Sequence, residues 1–302
     1  MAKSVTEQVR NGTEVDGVDV VGALSPSRAG DFKTCPLMYR YRTIDRLPEP
    51  PSPDAVRGTV VHKVLEDLFD LPAAERTPDR AEAMIDGAWE YVLGDDERAE
   101  ELFAPDSDPA AQASWLDSCR TVLRKYFDLE DPTVLEPAER ELYVETLLES
   151  KLLLRGFVDR VDVAPTGAIR VVDYKTGRSP GESFEAKALF QMRFYALVIW
   201  KTRGVIPAML RLIYLGNGEM VSYSPDEQDL RSTERQLDAL WKAISRAHES
   251  GDWRPNKSRL CDWCSFKEHC PEFGGTLLPL PVVSTGSTSE DASEAGEVEP
   301  GE

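Results

Sequence analysis

What the 302-residue chain lacks narrows its class. Its longest compact apolar stretch, around Phe194 to Trp200, falls far short of the roughly 20 residues that a bilayer-spanning helix needs. The first thirty residues hold no long apolar run behind a basic segment, so no secretory leader is expected. Cysteine is scarce, with five at positions 35, 119, 261, 264 and 270, too few for a disulfide scaffold in a chain this long. Positive charge is short as well: 54 acids stand against 35 bases, a formal charge of −19. The tails carry part of it, and residues 23–283 keep 44 acids against 33 bases. Such an excess opposes non-specific attraction to nucleic acid. A nucleic-acid partner must therefore meet a local basic strip, and some of the acids must be held by cations. The expectation is a soluble, cytoplasmic protein without a membrane partner.

What is present suits one large domain, with 41% apolar residues for a core. Residues 1–22 are polar and aperiodic and are expected to form a loose arm. The pair Ser25-Pro26 reads as a helix cap followed by proline at the first helical position. After the proline-rich connector 48–54, residues 57–72 read as a helix with Val61, Leu65 and Phe69 on one side and His62 and Glu66 one turn apart. Residues 73–130, rich in Ala, Glu and Asp, read as a helical insertion in which Cys119 is core filler. Strands are expected at 139–148, 151–164, 168–177, 207–215 and 219–223, and helices at 184–203 and about 226–250. Residues 274–302 read as a disordered acidic tail.

The middle strands carry the most informative chemistry. In 171-VVDYKTG-177, Asp173 and Lys175 are two residues apart and share one face of a strand, with Tyr174 on the other. Pro165-Thr166-Gly167 fits a three-residue hairpin loop with glycine in the left-handed position. That loop pairs residue 164 with 168 and, counting back, sets Asp159 against Asp173. Like charges opposite each other destabilise a sheet unless a divalent cation lies between them, and oxygen ligands suit Mg2+ or Mn2+. A two-residue loop would put the acids on opposite faces.

The stretch 261-CDWCSFKEHC-270 places three cysteines in ten residues. A closed metal site needs a fourth ligand, and Cys35, Cys119 and His269 are the candidates. Two segments interleave aromatic and basic side chains as single-strand binding surfaces do: 39-YRYR-42, with Arg40 and Arg42, and 253-WRPNKSRLCDW-263.

The order 58-GTVVHKVLE-66, 156-GFVDRVD-162, 173-DYKTG-177 and 191-QMRFY-195, with the late cysteine triplet, resembles the RecB-like branch of the PD-(D/E)XK nucleases, and within it the iron–sulfur subgroup that includes CRISPR-associated exonucleases and the nuclease domain of AddB. The resemblance covers about residues 24–273. It implies an α/β (α+β) fold, a restriction-endonuclease-like mixed sheet flanked by helices, with the helical insertion carried on it. It implies that His62, Asp159, Asp173 and the Tyr174 carbonyl bind the catalytic metal, that Lys175 assists the chemistry, and that Gln191 and Tyr195 contact DNA. It also implies a [4Fe–4S] cluster on Cys35, Cys261, Cys264 and Cys270, with zinc as the rival occupant, stapling the two chain ends over the core. The expected activity is a metal-dependent DNA exonuclease on single strands or ends, in repair or recombination. The alternatives are a non-catalytic DNA-binding subunit of a helicase–nuclease complex and a zinc-stapled interaction protein. A helicase or another repair protein is the expected protein partner.

Overall fold

A computed structural model describes residues 14–15, 18–103, 108–179 and 182–280. Before the first large helix come a two-strand ribbon, β1 (Glu14–Val15) with β2 (Val18–Asp19), and a short strand β3 (Gly22–Leu24). Helix α1 (Pro26–Thr34) begins as its sequence demands: the Ser25 side chain accepts from the Arg28 N–H, and Pro26 occupies the first turn. It stops at Cys35, whose extended backbone precedes Pro36, because a residue before proline is driven out of the helical region. The chain resumes as α2 (Pro36–Tyr39) and a wider turn over Arg40–Asp45. Helix α3 (Pro53–Leu68) is capped by Ser52 and buries Val60, Val61, Val64, Leu65 and Leu68.

The segment that follows is mostly helical: α4 (Pro78–Ala83), α5 (Ile85–Asp95), α6 (Pro109–Arg124) and α7 (Tyr126–Leu129), with short 3-10 turns before α4 and after α5. Three strands come next, β4 (Glu139–Leu147), β5 (Leu152–Val163) and β6 (Ile169–Lys175), then α8 (Glu182–Arg203), β7 (Met209–Tyr214), β8 (Glu219–Tyr223) and α9 (Glu227–Ser250). The long apolar run noted in the sequence lies in α8, where Phe194 to Ile199 are buried in the core. No helix among the described residues is long and apolar enough to cross a membrane.

The six-stranded sheet is mixed. β4 runs antiparallel along one edge of β5, from Glu139 with Val161 to Leu147 with Leu153. Two strands share the other edge of β5: β3 lies parallel beside Leu152–Leu154, and β6 lies antiparallel beside Arg160–Val163. β7 then pairs parallel with β6, through α8 as the crossover that parallel neighbours require, and β8 closes the far edge. One core lies between the sheet and α1, α8 and α9, and receives Ile169 and Val171. The second lies between the sheet and the helices from α3 to α7, and receives Val172 and Tyr174.

Two expectations about the ends need correcting. The arm assigned to residues 1–22 is structured at its end: β1 and β2 pair, Val21 donates to the Lys151 carbonyl and Gly22 joins the sheet, while residues 1–13 lie outside the described residues. The tail assigned from 274 begins too early. Leu278 packs on the core, and the carbonyls of Leu278 and Pro279 accept from Arg40, whereas residues 281–302 lie outside the described residues.

Candidate metal centre

The site forms where β5 and β6 part. Ala164 donates to Ala168, and Gly167, at φ 84°, closes the hairpin between them. The register this sets is Val163 with Ile169 through Arg160 with Val172, so the next residues in line are Asp159 and Asp173. There the ladder ends, and the Tyr174 backbone turns to other partners. Its N–H donates to Asp159 Oδ2 at 2.6 Å, and its carbonyl lies 3.0 Å from His62 Nε2. His62 projects from α3, and its Nδ1 is 3.6 Å from the same Asp159 oxygen. A helix, two strands and one carbonyl thus converge.

A third acid joins them that the sequence reading missed. Glu141 of β4 lies with His62 and Asp159 in a set whose donor atoms all fall within 4.8 Å of one another. Its register neighbours, Arg140 with Arg160 and Leu142 with Val158, place it opposite Asp159. Its φ is 42°, a left-handed conformation that costs a non-glycine residue about 1 kcal/mol. Burial, and then the charge of Asp159, push its carboxyl up to about 7.

Asp173 is not in that set of three. It is 2% exposed, and its oxygens are engaged by Lys175 Nζ at 2.7 Å and Gln191 Nε2 at 2.9 Å. Gln191 Oε1 accepts from Lys175 at 3.1 Å, so acid, amine and amide form one closed group. Burial raises the Asp173 carboxyl to about 6 even though the Lys175 ammonium opposes the shift. Burial works against the Lys175 charge, but Asp173 outweighs it and holds the ammonium above its ordinary range. The Gln191 Nε2 group also donates to the hydroxyl of Tyr195, one turn further along α8, at 3.5 Å. Behind the site, Tyr174 is fixed by Arg160, which is 1% exposed and donates to the Tyr174 hydroxyl at 2.6 Å and to Glu130 at 2.8 Å. Glu66 does not orient His62; Lys63 holds it.

Cys35, Cys261, Cys264 and Cys270 line one cavity of about 40 Å³. Neither rival ligand belongs there: Cys119 is fully buried in α6, and His269 Nε2 pairs with Glu268. The N–H of Asn256 lies 3.4 Å from Cys35 Sγ, and that of Ser258 lies 3.4 Å from Cys261 Sγ. Among the described residues, no three of these sulfurs lie within 4.8 Å of one another.

The proposed basic strip is corrected. Arg40 is buried, paired with Asp45 at 2.9 Å and donating to two backbone carbonyls, so it cannot present its charge to a ligand. Arg42 is spent on Asp31 and Glu49. Trp253 is buried against Tyr39 and Phe32, whereas Trp263 is 78% exposed.

Comparison with known proteins decides the family. Residues 23–271 match the profile of the PD-(D/E)XK nuclease superfamily. The chain belongs to that superfamily. It is 26% identical over 280 residues to the Gene 69 protein of Mycobacterium phage D29, covering 82% of this chain and 96% of that one. It is 29% identical over 123 residues to the Gene 69 protein of Mycobacterium phage L5, covering 40% of each. A candidate exonuclease from Eubacterium rectale, of known crystal structure, aligns over 88% of this chain and 93% of its own with a TM-score of 0.54 and 11% identity, a likeness of fold. Nucleases of the superfamily use divalent metals, and the cluster of His62, Glu141 and Asp159 offers one a place here.

Proposed function

We propose that the protein is a metal-dependent DNA exonuclease of the RecB-like, iron–sulfur branch, acting on single strands or DNA ends in repair or recombination. The convergence of His62, Asp159 and the Tyr174 carbonyl carries this reading. Three oxygens or more and one imidazole suit Mg2+ or Mn2+, with His62, Asp159, Glu141, Asp173 and the Tyr174 carbonyl as the holding groups. When bound, such an ion supplies charge neutralisation at the phosphate and a more acidic water. The chain's own residues do the rest. Lys175, tethered by Asp173 and Gln191, is placed to orient the attacking water and to donate to the phosphoryl oxygen as negative charge develops there. Gln191 fixes the spacing of acid and amine, and Tyr195 backs Gln191 where the strand arrives.

We assign the four cysteines to a [4Fe–4S] cluster, with zinc as the rival occupant. Tetrahedral zinc at a Zn–S distance of about 2.3 Å would draw its sulfurs to about 3.8 Å from one another. A cluster would take one iron for each thiolate, and the N–H groups directed at Cys35 and Cys261 would support bound sulfur. Its role would be to staple the α1–α2 junction to the segment after α9.

The test is anaerobic purification followed by a visible spectrum, iron and zinc analysis, and an assay on 5′- and 3′-end-labelled strands with Mg2+ or Mn2+, beside Asp173→Ala. Iron in the protein, cleavage by the natural sequence and its loss in a folded Asp173→Ala protein are expected. Binding of single strands without cleavage by the natural sequence would overturn the enzyme reading in favour of a non-catalytic subunit, and zinc without iron would overturn the cluster.

A further inference from the structure

Beyond Gln191 and Tyr195 a groove of about 980 Å³ opens between the start of α1, the β4–β5 surface and α8. Its lining holds more bases than acids. Arg28, Arg155 and Lys187 line it, and among the described residues none of the three has a carboxylate at ion-pair distance. Arg42, Arg76, Arg120 and Arg140, by contrast, each hold an acid. Two of the nearby acids are already engaged. Asp31 is held by Arg42, and Glu145, which stands across from Arg155, accepts from the Tyr143 hydroxyl at 2.6 Å; Asp95 sits in the lining at the end of α5. Burial, and then the like charge of Arg155, hold the Arg28 guanidinium below its ordinary range, so the two cations stand close to one another along the groove.

The same wall carries an aromatic pair. Phe157 is 54% exposed, and its ring lies 5.2 Å from that of Tyr143, its partner across β4. Arg155, Phe157 and Asp159 alternate along β5, so their side chains leave the strand on one side at intervals of about 6.8 Å. Moving out from the metal centre, the strip reads Asp159 with Glu141, then Phe157 with Tyr143, then Arg155 with Glu145. On the other face of β5, Gly156 lets α8 come close: a Cβ there would lie 2.9 Å from the Tyr195 ring.

We propose that this groove holds the single-stranded DNA that leads to the metal centre, with bases stacked on Phe157 and Tyr143 and phosphates met by Arg28, Arg155 and Lys187. Aromatic faces accept any base, and cations along the edge track the backbone, so the groove selects single strands without selecting sequence. A stacked duplex hides its base faces and cannot use the aromatic pair. The assignment rests on the nuclease reading only for what lies at the groove's inner end; binding is a separate property.

The test is fluorescence anisotropy of a 5′-fluorescein-labelled 20-residue oligo(dT) with the full-length protein in Ca2+, over a range of salt. Arg28→Ala with Arg155→Ala is expected to weaken binding at least tenfold and to reduce the slope of log affinity against log salt by about 1.4, two phosphates' worth. Phe157→Ala is expected to cost about tenfold toward oligo(dT) and little toward an abasic strand of the same length, with Phe157→Trp restoring affinity. Circular dichroism and melting temperature check that each variant is folded. Natural affinity and salt slope in these variants, or tighter binding of a blunt duplex than of oligo(dT), would overturn the proposal. Cleavage by the natural sequence in Mg2+ or Mn2+ is scored separately: if it fails while the binding losses appear, the nuclease reading falls and the groove stands.

Discussion

Glu141 faces Asp159 across β4 and β5, by the same register logic that sets Asp159 against Asp173 across β5 and β6. Glu141 and Asp159 therefore meet beside a histidine, and Asp173 on the third strand stands next to them, held by Lys175 and Gln191. Like charges so placed raise one another's proton affinity, and burial adds to this. A divalent cation relieves both effects at once, which is why such a cluster signals a metal rather than a surface.

Glu141→Gln should separate stability from activity. Removing one of the crowded charges is expected to raise the melting temperature of the metal-free protein. Metal affinity, followed by calorimetric titration with Mn2+, is expected to fall by about 10–100-fold, as for groups supporting a metal site. Unchanged affinity would show that Glu141 only crowds the site.

The pH dependence follows from the same cluster. Asp173 and Glu141 are pushed up to about 6 and about 7, above ordinary carboxylates. The folded metal-free protein thus holds protons that the unfolded chain has released, so its stability falls as pH rises from about 4 toward 7. Metal binding releases those protons. The gain in melting temperature on adding Mn2+ is therefore expected to grow from pH 5 to pH 7.5, and a gain independent of pH would contradict it.

Lys175→Met should divide binding from turnover. Asp173 loses its tethered counter-charge and becomes fully available to a cation, so Mn2+ affinity is expected to hold or rise. Cleavage should drop by about 10²–10³-fold, the usual scale for losing one preorganised donor to a developing charge. A parallel loss of both would make Lys175 a prop for the site.

Arg160→Met tests the support behind Tyr174. The change strands Glu130, which is 6% exposed, without its main partner. A loss of about 3–5 kcal/mol in urea unfolding is expected, with partial recovery when Glu130→Leu is added. No destabilisation would mean that the buried pair contributes nothing net.

The cysteines should divide by reactivity. Burial pushes the Cys119 thiol up to about 11, so it stays protonated and inert near pH 8. In protein stripped of metal, iodoacetamide is expected to modify Cys35, Cys261, Cys264 and Cys270 before unfolding, and Cys119 only after it. Mass spectrometry of the alkylated protein reads this directly.

The sequence was most informative where a turn declared itself. Pro165-Thr166-Gly167 carries glycine in the left-handed position, and that one residue made the Asp159–Asp173 register countable. The β4–β5 hairpin has a closely similar loop: Leu148 donates to Leu152, and Lys151 takes the left-handed position at φ 65°. Lysine in that position gives no signal, so the register that brings Glu141 to Asp159 could not be counted, and Glu141 stayed hidden among the acids of 139-ERELYVETLL-148. Arg40 was misread for another reason. Alternation of basic and aromatic residues looks alike whether it faces water or folds inward, and only the tertiary partners Asp45, Leu278 and Pro279 tell the two apart.

Those partners also set where the domain can be cut. A version ended at Phe273, where the cysteine motif finishes, would strip a buried guanidinium of both carbonyl acceptors beyond it and remove Leu278 from its seat. Expression boundaries drawn from motif positions would thus yield a weakened product, and the shortest durable version should keep Leu278 and Pro279.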